Sequence, residues 1–167
     1  MKWPIAVLLV SLAAAAPARG QIIDRVEVLD FGTYAAIDGE ELEPTEQGIK
    51  RGVAYEVTHL ETGRRIVARI GTRFGFRYFT LGNPFGVPAQ VTIVWKFPQP
   101  GVVGAVSGRN VVRDEYPSGT VIGDEDTVLW TFEEFNEIVP GFWTIEIWSG
   151  ERLLTEQIFE VILPPTS

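Results

Sequence analysis

The chain contains no cysteine and a single histidine, His59, in 167 residues. Without cysteine there is no disulfide, no thiolate metal site and no lipid-modified cysteine of the lipoprotein kind. With one histidine as well, neither structural nor catalytic zinc finds its usual ligands, and no cofactor is implied. Positive charge is also scarce: 14 Lys and Arg stand against 22 Asp and Glu, a formal net charge of −8. Binding a phosphate backbone needs clustered Lys and Arg to displace counterions, so nucleic acid is excluded as a partner and anionic lipid is disfavoured. The longest apolar run, Ile5 to Ala16, falls short of the roughly 20 residues a membrane span needs, and no span is expected. Amphipathic helix patterns, internal repeats and low-complexity tracts are missing too.

What is present begins with that apolar run. Lys2 precedes it, and Ala16-Pro17-Ala18 and Ala18-Arg19-Gly20 follow with small residues at the spacing of a cleavage site. Residues 1–20 therefore read as a secretory signal peptide, cleaved near Ala18 or Gly20 to release the chain into the periplasm or the medium. Loss of Lys2 and Arg19 takes the net charge from −8 to −10. Residues 21–167 suit one domain, because a chain of about 150 residues buries close to 70% of its unfolded surface without staples.

Strand signals fill that domain. Val26 and Val28 alternate with polar neighbours in Ile22–Tyr34, and Val53–Leu60 resumes the pattern. Between them Ala35–Gly52, with Asp38-Gly39, Pro44 and Gly48, reads as a long surface loop. From Arg65 to Tyr78 one parity carries Ile66, Ala68, Ile70, Phe74, Phe76 and Tyr78, and the other carries four arginines; Gly71 is expected to divide this run into two strands. Val91, Ile93, Trp95 and Phe97 share one face, with Trp95 a core candidate, as do Val128, Trp130 and Phe132. Pro98–Asp126 is rich in glycine and proline and shows one short strand near Val111–Tyr116, and Glu133–Val139 reads as one helical turn. The clearest pattern is a hairpin over Ile138–Val161, whose core face holds Trp143, Ile145, Ile147, Phe159 and Val161 and whose polar face holds Thr144, Glu146 and Trp148. About eight or nine short strands without βαβ alternation predict an all-β, immunoglobulin-like antiparallel sandwich with no substantial helix after the signal peptide.

Three stretches carry a resemblance: Phe74-Gly75-Phe76-Arg77-Tyr78 with Gly82-Asn83-Pro84; Phe97-Pro98-Gln99-Pro100-Gly101; and Pro140-Gly141-Phe142-Trp143 through Trp148 with Phe159-Glu160-Val161. Over roughly residues 63–161 the chain resembles the bacterial family known as domain of unknown function 3859. The resemblance implies an exported immunoglobulin-like domain and assigns no catalytic or binding residue. True immunoglobulin domains carry an inter-sheet cysteine pair with a tyrosine before its second member; neither is here, so only the architecture transfers.

Candidate chemistry is sparse. His59 has no nucleophile motif to serve and reads as a surface residue at a strand end. Asp124, Glu125 and Asp126 supply hard oxygen ligands that calcium could use, as does Asp38-Gly39-Glu40-Glu41, but neither has the spaced acidic ladder of a calcium loop, and no metal site is assigned. Arg65, Arg69, Arg73 and Arg77 form a stripe that suits an anionic glycan or acidic partner if exposed; pairing with acidic neighbours on adjacent strands is the plainer reading. Trp148 and Phe142 fall on the polar parity, where an exposed aromatic anchors a partner. The expectation is a monomeric, non-catalytic binding or accessory module of the bacterial envelope, its partner an envelope protein or glycan. One alternative is a carbohydrate-active or hydrolase accessory domain, favoured by a cleft with converging carboxylates. Another is a fibre or pilus-type structural subunit that exchanges strands between chains.

Overall fold

The alternation of apolar and polar residues is realised as eleven strands and one 3-10 turn in the computed structural model, which describes residues 22–165. The expected signal peptide lies outside those residues. In chain order the strands are β1 (Ile22–Leu42), β2 (Arg51–Thr62), β3 (Arg65–Val67), β4 (Arg73–Asn83), β5 (Pro88–Lys96) and β6 (Val102–Val103). They continue with β7 (Asn110–Val111), β8 (Arg113–Val121), β9 (Glu125–Thr131), β10 (Gly141–Ser149) and β11 (Arg152–Ile162). One sheet has the order β2-β1-β4-β9, the other β3-β11-β10-β5-β8, and β6-β7 is a small ribbon. Every pairing is antiparallel except β3 on β11. Leaving out the two- and three-residue pieces β3, β6 and β7, the long strands number eight, as expected from the sequence.

The hairpin of β10 and β11 forms as the period of two predicts. Trp143 stands opposite Phe159 and Gly141 opposite Val161, and the inward residues Trp143, Ile145, Ile147, Phe159 and Val161 are buried. Across the sandwich, Phe74, Phe76 and Tyr78 of β4 face them. Trp143 is the hub: its ring lies 4.8 Å from Phe97, 5.2 Å from Trp130 and 5.6 Å from Phe74, mostly edge to face. Its indole N–H donates to the Val139 carbonyl at 2.8 Å, so a fully buried tryptophan keeps its one donor satisfied.

Several expectations need correction. Ala35–Gly52 is not a surface loop: Ala35–Leu42 continues β1, and Thr45 and Ile49 are buried. The run Arg65–Tyr78 does divide at Gly71, but into strands of different sheets, β3 against β11 and β4 between β1 and β9. The period of two therefore does not carry across the turn. Pro98–Asp126, expected to hold one short strand, supplies β6, β7, β8 and the start of β9. Pro117 fits within β8 because β8 is the edge of its sheet, where a missing N–H costs least. Glu146, on the polar face of the hairpin, is 2% exposed, covered by Lys96 and Trp148.

Candidate functional site

β1 and β2 outrun the sheet they belong to. Pairing of β1 with β4 stops at Thr33 opposite Phe74, while pairing of β1 with β2 continues to Leu42 opposite Arg51. The excess is a two-stranded arm. Three register slips along it raise the local twist, and at one of them two residues of β2 oppose one of β1 and Glu56 adopts the left-handed φ of 51°.

The arm crosses to the other sheet. Its tip packs Ile49 into the core, the Ser107 hydroxyl donates to the Gln47 carbonyl at 2.7 Å, and the Val106 N–H donates to the Gly48 carbonyl at 3.1 Å. The Arg51 guanidinium lies 4.7 Å from the centre of the Tyr116 ring on β8. At its root the arm is held by Arg73, which donates to Asp38 and, at 2.7 Å, to the Thr131 hydroxyl.

Between the arm, β8 and β9 lies a cleft of about 760 Å³. Trp95, Tyr116 and Trp130 give it aromatic walls, and Asp114, Asp126 and Glu137 give it carboxyls. Asp114 is 1% exposed, and neither of its oxygens accepts a well-formed hydrogen bond, the Thr45 hydroxyl and Glu115 N–H lying near it in poor geometry; the Trp130 indole N–H is buried and unpartnered. Burial pushes the Asp114 carboxyl up, against the opposing pull of the Thr45 hydroxyl and the Arg51 charge. Burial also raises Asp126, despite the Thr120 hydroxyl, and Glu137, despite the backbone N–H groups of Glu134 and Glu133. Buried polar groups in folded proteins are nearly always paired, so two orphans of opposite kind lining one recess are unusual.

The residues singled out from the sequence lie elsewhere or are dispersed. Arg65 meets Glu160 at 3.4 Å, Arg69 sits exposed in the turn after β3, Arg73 roots the arm, and Arg77 pairs with Asp30 and, at 3.7 Å, with Glu125. The four share no single face. Trp148 is half-buried, and its indole donates to Glu146 at 2.9 Å. Phe142 is 67% exposed. Asp124 and Glu125 are exposed whereas Asp126 is half-buried and lines the cleft, so the three do not converge. No group of three or more metal-ligating side chains occurs among the described residues.

His59 is half-buried with Nε2 at 3.1 Å from the Phe31 carbonyl and its ring 5.2 Å from Tyr34. Beside it, the Tyr34 hydroxyl donates to Asp30 at 2.7 Å. Burial raises the Asp30 carboxyl, but the hydrogen bonds from Arg77 and Tyr34 outweigh it and hold Asp30 below its usual range. This network is fully partnered at its carboxylate and offers a ligand little.

Asp114 escaped the sequence reading. Its signal was weak but present: it shares a parity with Tyr116 and Ser118 on β8. Trp130 was legible as core from the β9 alternation; its unpaired N–H was not.

No family profile matches the chain, and no curated protein matches it. The solved structure of an immunoglobulin-like protein from Pseudomonas aeruginosa superposes with a TM-score of 0.56 at 22% identity, covering 88% of this chain and 100% of the other. The fold is immunoglobulin-like. At that identity the likeness concerns the sandwich alone, and the immunoglobulin-like frame is silent about ligands. The cleft must be understood from this chain's own residues. Among the described residues no helix is long and apolar enough to cross a membrane.

Proposed function

We propose that the protein is an exported, non-catalytic binding module of a bacterial envelope, a monomeric single domain over residues 21–167 whose ligand site is the cleft beneath the β1–β2 arm. The observation that supports it most is the recess of about 760 Å³ lined by the unpartnered Asp114 and Trp130. Its size lies in the range of small-molecule sites, and a few polar groups set among aromatic walls are their usual composition. The resemblance to domain of unknown function 3859 and the N-terminal pattern of residues 1–20 support export.

The test is a thermal-shift screen of sugars, polyamines, small anions and calcium on the mature protein beside Ser118→Trp. Ser118 is half-buried on the edge strand β8 and lines the cleft, so tryptophan there fills the mouth without entering the main core. Ligand-dependent stabilisation in the parent that disappears in Ser118→Trp is expected. A screen with no shift in any class, or shifts indifferent to Ser118→Trp, overturns the proposal.

A further inference from the structure

The two orphans in the cleft are complementary in kind. A carboxylate accepts hydrogen bonds and an indole N–H only donates. A ligand that completes both must bring a donor and an acceptor together. An ammonium group brings donors alone and leaves Trp130 unsatisfied; a carboxylate or phosphate brings acceptors alone and satisfies Asp114 only while its carboxyl is protonated. A hydroxyl is both. Because burial raises the Asp114 carboxyl, a hydroxyl partner has the further advantage of pairing with either protonation state.

Charge narrows the class further. The cleft is lined by seven acidic residues against three basic ones, Lys50, Arg51 and Arg73. Arg73 is already engaged by Asp38, and Arg51 lies over Tyr116. An anionic ligand would meet a repelling field. A cation would be attracted by that field, but its burial carries a large desolvation cost, and the indole N–H would stay unpaired. Tyr116, half-buried with Arg51 over its ring, and the edge of Trp130 give the recess the partly apolar lining that a pyranose ring tolerates.

We infer that the cleft binds an uncharged carbohydrate, with neighbouring hydroxyls donating to the Asp114 carboxyl and accepting from the Trp130 indole N–H; the inference rests on the binding-module reading above. Neither polar group touches solvent. Asp114 reaches a sugar by turning its side chain toward the cleft, exchanging the weak pull of the Thr45 hydroxyl and the Glu115 N–H for the sugar's hydroxyls.

Calorimetric titration and tryptophan fluorescence of the mature protein with neutral di- and oligosaccharides, spermidine, trilysine and oligogalacturonate decide the matter. Saturable binding of at least one neutral saccharide is expected. Trp130→Phe keeps the aromatic wall and loses the donor, and weakens that binding about tenfold. Asp114→Asn keeps an acceptor oxygen and stays within about tenfold of the parent, whereas a cationic ligand held by the charge would lose far more. Melting curves of both variants establish that they are folded. Three results overturn the inference: no neutral saccharide binds; saccharide binding is indifferent to Trp130→Phe; or spermidine, trilysine or oligogalacturonate binds instead in a manner blocked by Ser118→Trp. The last leaves the binding-module reading standing, while a cleft that takes no class of ligand removes both.

Discussion

At the scale of single residues, two positions show how tightly the sandwich is drawn. Gly75, in the middle of β4, has φ near 152°, and a Cβ added there would lie 2.0 Å from the Val128 carbonyl oxygen on β9. Only glycine lets these two backbones approach so closely. Gly75→Ala is expected to cost about 3 kcal/mol or more, read as a lower urea midpoint with unchanged slope. Trp143 represents the opposite case, a residue fixed by what it fills. Its neighbours Trp95, Trp130, Phe97 and Phe132 all come from strands or loops whose alternation is visible in the sequence, which is why its role was legible beforehand. Gly75 was not legible in this way, because close approach depends on a partner strand that periodicity does not name.

At the scale of elements, the arm of β1 and β2 separates what local pattern can and cannot reveal. β5, β9, β10 and β11 each bury one face, so their alternation stands out. The arm is exposed along most of both strands: Ile37 and Tyr55 are more than half exposed, and the acidic residues between Asp38 and Glu43 break any contrast between faces. Such a ribbon looks like a loop. Its shape depends on the bulge where Glu56 adopts the left-handed conformation, at a cost of roughly 1–2 kcal/mol for a residue with a Cβ. Glu56→Gly removes that strain and adds some unfolded-state entropy, so a net gain of up to about 1 kcal/mol and a rise of a few degrees in Tm are expected. Glu56→Ala retains the Cβ and should leave Tm close to the parent's. A Glu56→Gly protein melting below the parent would show that the arm draws no strain from this residue.

At the scale of the whole molecule, the buried carboxyls make stability depend on pH in two opposing ways. Asp114, Asp126 and Glu137 have folded-state pKa values raised by burial, so the native state binds protons more tightly than the unfolded chain does. Their influence is most favourable below the ordinary carboxyl range and turns against folding as pH rises through the raised values. Asp30 and Glu146 are lowered, in each case because hydrogen bonds to a cation and an aromatic donor outweigh desolvation, and their stabilisation is lost as pH falls through the lowered values. Asp114→Asn is therefore expected to match the parent near pH 3.8, the ordinary value for aspartate, and to exceed it by roughly 1 kcal/mol or more at pH 7. Urea unfolding across that interval checks it; parallel curves for the two proteins would mean that Asp114 titrates alike in both states.

The amino-acid sequence by itself determined the strand-rich class, the sandwich, the β10–β11 hairpin and the aromatic identity of the core. These are consequences of period-two alternation and turn chemistry, both local. The cleft was decided only by tertiary structure. Asp114 is buried where the arm, through Thr45 and Arg51, lies against β8, and a carboxyl's burial is a property of what covers it, not of its neighbours in the chain. The arginines illustrate the same limit: one uninterrupted period spans Arg65 to Arg77, yet the chain changes sheets at Gly71, so that four residues of one parity end with four different surroundings.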